Sequence, residues 1–268
     1  LPGLHKGRTA VITGGSLGIG LQLGRFLAIA GARVLLSARS EGKLAEARAE
    51  IVEELRNIGY PRPESRVKIL GDIDVGDPEA LNRLHDHAVA ELGHVDFLIN
   101  NAGISGAEEM VVDMTRADWD RTMEANLISN YSLIRKFSPA MKAGGKGSIL
   151  NVSSYFGGEK YVAVAYPNRA DYAVSKAGQR VLAEILSRHL GPEIQINALA
   201  PGPVDGARLR GSAEAPGLFD RRGLLVLENK RLRKRRKEKL KAPCCWRSDA
   251  SHWITRRQSF RGKSSRWP

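Results

Sequence analysis

A chain of 268 residues with 42% hydrophobic content has the size and composition of one α/β domain with a proper core. No apolar run reaches the length of a membrane-spanning helix, so no membrane partner is expected. The net charge of +13 invites a nucleic-acid reading, but residues 230–268 hold 15 of the 42 Lys/Arg and 2 of the 29 Asp/Glu, leaving 27 of each in residues 1–229. A neutral body has no electrostatic reason to seek nucleic acid or anionic lipid.

The pattern along the body alternates short β-branched runs with longer amphipathic stretches. Arg8–Thr13 reads as a buried strand, followed by a glycine turn and a helix from Gly18 to Ala30. Arg33–Ala38 is a second strand. Glu41–Ile58 is a helix, with Leu44, Ala47, Ile51 and Leu55 on one face. Arg66–Leu70 is a third strand, and Asp77-Pro78 caps the next helix. Asp96–Asn100 is a fourth strand, Arg116–Met141 a long helix and Ser148–Ser153 a fifth strand. Tyr172–Leu190 is helical, and Ile194–Ala198 is a sixth strand ending at Pro201-Gly202-Pro203. Such alternation predicts an α/β fold with a doubly wound parallel sheet, the Rossmann architecture, with ligands beyond the C-terminal ends of the strands.

The composition changes abruptly near residue 230. Residues 1–229 are expected to form the domain. Residues 230–268 are expected to be a non-native or disordered basic tail, the product of out-of-frame translation, with a genuine basic interaction arm as the alternative. Both cysteines and three of the four tryptophans lie there. Adjacent Cys244 and Cys245 make a poor metal site, so no metal is expected. A cysteine-free body suits the cytoplasm. The N-terminus has neither an apolar targeting core nor an initiator Met, as at the edge of a longer chain.

Thr13–Gly20 (TGGSLGIG) lies between a strand and a helix, the context that gives a glycine motif weight. Gly14, Gly18 and Gly20, with Ser16, Leu17 and Ile19 between them, allow a pyrophosphate to meet the N–H groups at a helix start. A glycine-rich turn without a ligand is the plainer alternative. The second strand ends at Ser37-Ala38-Arg39-Ser40, with no acid for a ribose 2′-hydroxyl. Arg39 suits a 2′-phosphate instead, unless it merely lies on the surface, so NADP(H) is favoured.

Taken in order, Thr13–Gly20, Asp74-Val75, Asn100-Asn101-Ala102-Gly103, Asn126, Ser154, Tyr172-x-x-x-Lys176 and Pro201-Gly202 resemble the short-chain dehydrogenase/reductase family over about residues 7–210. The resemblance implies that Asp74, Val75, Asn100, Ala102, Gly103, Pro201 and Gly202 line the cofactor. It also implies that Lys176 holds the nicotinamide ribose and that Asn126 supports a water and a proton path. The residues themselves support the Tyr172/Lys176 pair. Four apart, they share a helix face. A free tyrosine, with a pKa of about 10, is a poor acid or base at neutral pH, and a nearby ammonium favours the phenolate. Ser154 would stabilise charge developing on a reacting carbonyl oxygen. Ser153 or Ser154 capping a strand end, structural roles for Asn100 and Asn126, and an exposed Tyr172/Lys176 pair are the plainer readings.

The segment 157–169 is longer than usual for the family between Ser154 and Tyr172, and its Lys160 and Arg169 are candidates for an anionic substrate. Residues 153–204, together with 98–106 and 125–136, further resemble the C-terminal half of the bacterial malonyl-CoA reductases, which contains tandem units of this family. That likeness implies a small-molecule substrate, an acyl-CoA thioester, reduced with NADPH to malonate semialdehyde. Arg208 and Arg210 would meet the malonyl carboxylate or the coenzyme phosphates, or lie on the surface. It further implies either a homodimer through the helix over 172–190 or membership of a larger multidomain chain. The tail stands where the family has its last strand, so the fragment is expected to bind cofactor weakly or to be inactive alone. Interconversion of a small ketone and alcohol, and a non-catalytic dinucleotide-binding unit, are the alternatives.

Overall fold

Strands buried on both faces need helices on both sides, and the apolar runs of this chain meet that need. The computed structural model describes residues 3–158 and 166–204. Among them are β1 (Thr9–Thr13), β2 (Arg33–Ser37), β3 (Val67–Leu70), β4 (Phe97–Asn100), β5 (Gly147–Val152) and β6 (Ile194–Leu199). All pair in parallel, in the order β3-β2-β1-β4-β5-β6. Alternate residues of each strand feed two cores. Val11, Leu35, Leu98 and Ile149 pack with Leu84, Leu133, Phe137 and Ala183 on one face. Ala10, Ile12, Leu36 and Ile99 pack with Leu27, Leu44, Ile51 and Leu55 on the other. The predicted doubly wound sheet is the observed one.

The helices are α1 (Gly18–Ile29), α2 (Glu41–Asn57), α3 (Pro78–Leu92), α4 (Arg116–Met123), α5 (Ser129–Ala143) and α6 (Ala170–Leu190). Asp77 caps α3 by accepting from the N–H groups of Glu79 and Ala80, with Pro78 at the first position, as expected. Most boundaries lie within one or two residues of the sequence reading. The single helix expected over 116–141 is interrupted by a π-helical turn, Glu124–Ile128, and α6 begins two residues earlier than expected. A π turn inserts one residue into a helix without changing its apolar stripe enough to show in the sequence. Lys160, Arg208, Arg210 and the boundary at residue 229 lie outside the described residues.

Asp96, at the foot of β4, ties that strand to β1. Its carboxylate accepts from Arg8 at 2.6 Å and from the Thr9 N–H at 3.0 Å. Burial alone pushes this carboxyl up. The hydrogen bonds from Arg8 and Thr9 and the charges of Arg8 and His94 outweigh it, and hold the group below the ordinary carboxylate range.

Candidate active site

The strand order reverses between β1 and β4, which opens a crevice at their C-terminal ends. Two segments meet there. The Thr13 hydroxyl accepts from the N–H of Asn101 (3.0 Å) and of Ala102 (3.1 Å). The Asn101 amide donates to the carbonyls of Thr13 and Gly14. Gly14 and Gly18 take left-handed φ angles of 64° and 57°, which favour glycine. Helix α1 then starts with Leu17 in extended conformation, no side-chain cap and no acid in its first turn. Its first N–H groups are therefore left for an anion, and the helix dipole favours one. Ser16 and Ile19 are half-buried beside this start, and Leu17 and Gly18 are exposed.

Arg39 follows β2. It is exposed, and its guanidinium has no partner among the described residues. The loops after β2 and β3 are joined by backbone bonds from Asp72 N–H to Arg39 O and from Ile73 N–H to Ala38 O. Those bonds bring Asp74 and Val75 toward the Arg39 side of the crevice. Asp74 spends one carboxylate oxygen on the Gly76 N–H at 2.9 Å. An uncapped helix start, a free guanidinium and the absence of an acid at residues 37–40 fit NADP(H).

The catalytic candidates gather on α6, the end of β5 and the π turn. Lys176 is buried, and its ammonium donates to Val152 O at 2.8 Å and to Gln179 Oε1 at 3.2 Å. It lies 5.8 Å from the centre of the Tyr172 ring, as the spacing of four requires. The Tyr172 ring meets Phe156 edge-on at 5.7 Å, and its hydroxyl has no partner among the described residues. Ser154 Oγ accepts from the Phe156 N–H at 3.3 Å, capping the short turn Tyr155–Gly157. Capping uses its lone pair and leaves its proton to donate. Ser154 and Tyr172 thus flank Phe156. Ser153 instead donates to Lys176 O at 2.6 Å, which holds α6 against β5.

Asn126 is fully buried in the π turn. Its amide donates to Ile104 O and to Ser175 Oγ, both at 3.0 Å, and its Oδ1 accepts from the Ile104 N–H at 2.8 Å. A Cβ on Gly103 would stand 2.7 Å from Asn126 Oδ1 and 3.6 Å from Lys176 Nζ, so only glycine lets the run after β4 pass here. Asn100, also buried, donates to Asn151 Oδ1 at 2.9 Å. Pro201 O accepts from the Tyr155 N–H, which fixes the Pro201-Gly202 turn beside Ser154.

Two residues of this neighbourhood were read differently from sequence, or not at all. Arg169, a candidate for substrate, is buried and pairs with Glu108 at 2.8 Å while donating to Ser105 O at 2.9 Å. The protein itself thus engages this cation, and the expectation of a substrate contact is corrected. Asp171 carries no motif signal, being one acid in a helix's first turn. It is fully buried and accepts from Thr122 Oγ1 (2.7 Å), the Ala107 N–H (3.0 Å) and the Tyr172 N–H (2.7 Å). It fixes the start of α6 to α4 and to the loop after β4.

Comparison with known proteins agrees with this geometry. Residues 8–216 match the family model described as short chain dehydrogenase. The 7alpha-hydroxysteroid dehydrogenase of Escherichia coli (strain K12) is 33% identical over 199 residues, 74% of this chain and 71% of that protein. The trans-4-hydroxycyclohexanecarboxylate dehydrogenase of Sinomonas cyclohexanicum is 34% identical over 217 residues, 78% of each chain. Among solved structures, the C-domain of a bacterial malonyl-CoA reductase, with NADP, superposes with a TM-score of 0.76 at 60% identity. That match covers 86% of this chain and 35% of the other, so this chain spans about a third of that protein's length.

Proposed function

Because the chain belongs to the short-chain dehydrogenase family, we propose that it is an NADPH-dependent reductase of an acyl-CoA thioester, with malonyl-CoA as substrate. The observation that carries the reading is the 60% identity over 86% of the chain to a malonyl-CoA reductase domain solved with NADP. The unpartnered Arg39 beside an uncapped α1 supports the choice of the phosphorylated nucleotide.

Gly14–Gly20 and the start of α1 would hold the pyrophosphate, Arg39 the 2′-phosphate, and Lys176 the nicotinamide ribose. NADPH, when bound, supplies the hydride that reduces the carbonyl. Ser154 donates a hydrogen bond to the substrate oxygen and stabilises the charge that develops there. Tyr172 gives that oxygen its proton, and the buried Lys176 ammonium stands 5.8 Å from the centre of its ring. For a thioester the resulting hemithioacetal collapses to aldehyde and free coenzyme A thiol.

A purified parent-length protein that carries this domain, mixed with NADPH and malonyl-CoA, is expected to lose nucleotide absorbance and release thiol in equal amounts. The 33–34% identical relatives are named as dehydrogenases of hydroxylated substrates, which favours a second reading, a ketone–alcohol dehydrogenase. Turnover of small ketones with no thiol release from malonyl-CoA would establish that second reading in place of the first.

A further inference from the structure

A buried carboxamide that joins two of the site's residues is left unexplained by the motifs. Gln179 lies on α6, one turn beyond Lys176, and is 0% exposed. An apolar side chain would fill such a position at no polar cost. A buried amide left unpaired is costly. Gln179 is paired at both ends, and both partners belong to the site. Its Oε1 accepts from the Lys176 ammonium at 3.2 Å, and its Nε2 donates to the backbone carbonyl of Asn126. The reverse orientation of the amide would set N–H against ammonium and oxygen against carbonyl, so the chemistry fixes the assignment. The backbone carbonyl of Gln179 accepts from Asn151 Nδ2 at 3.4 Å, and Asn151 Oδ1 accepts from Asn100.

We propose that Gln179 is a positioning residue, a carboxamide strut that holds the Lys176 ammonium in register between the end of β5 and the π turn. Val152 O restrains the ammonium from the sheet side, and Gln179 restrains it from the helix side. The same strut engages the backbone carbonyl of Asn126, the residue expected from the family resemblance to support a water and a proton path. The spread of positions open to Lys176 is thereby reduced before cofactor arrives, the usual benefit of preorganisation. The inference rests on the reading of Lys176 as the residue that meets the cofactor.

The test is a double-mutant cycle on NADPH binding, followed by nucleotide fluorescence, with thermal midpoints measured on the same four proteins. Gln179→Met keeps the length of the side chain and removes the amide, and Gln179→Leu serves if that variant does not fold. Gln179→Met is expected to weaken NADPH binding about three- to tenfold in the parent chain and by less than about twofold when Lys176 is already Met. Equal weakening in both backgrounds, or none in the parent, overturns the proposal, because Gln179 would then not act through Lys176. If the parent chain binds no NADPH, the functional reading fails separately and the thermal midpoints decide. Coupled shifts for Gln179→Met and Lys176→Met then support the strut, and additive shifts overturn it.

Discussion

The chemistry proposed for Tyr172 rests on a single proton, and one substitution isolates it. Tyr172→Phe keeps the ring against Phe156 and removes only the hydroxyl. Turnover is expected to fall about 10²- to 10⁴-fold, the usual contribution of a positioned acid, while NADPH affinity is nearly unchanged. Steady-state kinetics beside a binding titration would show both, and unchanged turnover would favour the non-catalytic dinucleotide-binding unit. Arg39 makes a different prediction. If Arg39 meets the 2′-phosphate as proposed, Arg39→Asp removes a charge-assisted contact of about 1.5–3 kcal/mol, so NADPH binding should weaken roughly 10- to 150-fold. NADH binding should change little, and equal losses for the two nucleotides would remove the argument for a 2′-phosphate site. Both residues are candidates on local sequence signals: a spacing of four, and a strand end without an acid. The roles of Asp171 and Arg169 were not legible in the sequence, because they depend on partners 49 and more residues away, Thr122 and Ala107 for one, Ser105 and Glu108 for the other.

At the scale of elements, strand positions were readable from runs that are apolar on both faces. The π turn was not, since Leu133, Phe137 and Met141 keep an ordinary helical stripe after it. Asn126 sits within it, with its amide and Oδ1 all engaged by the loop after β4 and by α6. The pairing of β1 with β4 carries a pH signature. The carboxyl of Asp96 is held below its unfolded pKa of about 4, so its stabilisation is complete above that value and is lost as pH falls through the folded one. Asp96→Asn is expected to lower stability at neutral pH by about 1–3 kcal/mol, by weakening the Arg8 and Thr9 bonds of a buried group. The difference between variant and parent should begin to shrink below about pH 4 and vanish as pH falls through the lower, folded value. Denaturant melts across pH 3 to 8 would show this, and a constant difference over the whole range would disprove it.

Over the whole molecule, alternation of strand and helix was enough to reach a doubly wound parallel sheet, because right-handed crossovers leave few alternatives, whereas the order of its six strands is seen only in the fold. Which surface meets a neighbour is less legible, since exposure at each position follows only from the packed fold. Helix α6 turns Val174, Val181 and Ile185 outward, at spacings of seven and four that keep them on one face. Leu127 packs over Gly178 within that face, and Ile128 in the π turn and Tyr131 in α5 are exposed as well. A helix face directed to water throughout would carry polar residues here, and a contiguous apolar patch marks an interaction surface. A second copy of the chain, meeting the same face across a two-fold axis, would bury both patches at once. The double substitution Val181→Glu and Ile185→Glu sets like charges into that contact and should convert a dimer to a monomer with the thermal midpoint little changed, because neither side chain belongs to the core. Sedimentation of the parent and the variant at matched concentration measures this. A parent that is monomeric at tens of micromolar, or a variant that dimerises as the parent does, would assign the face to a partner other than a second copy.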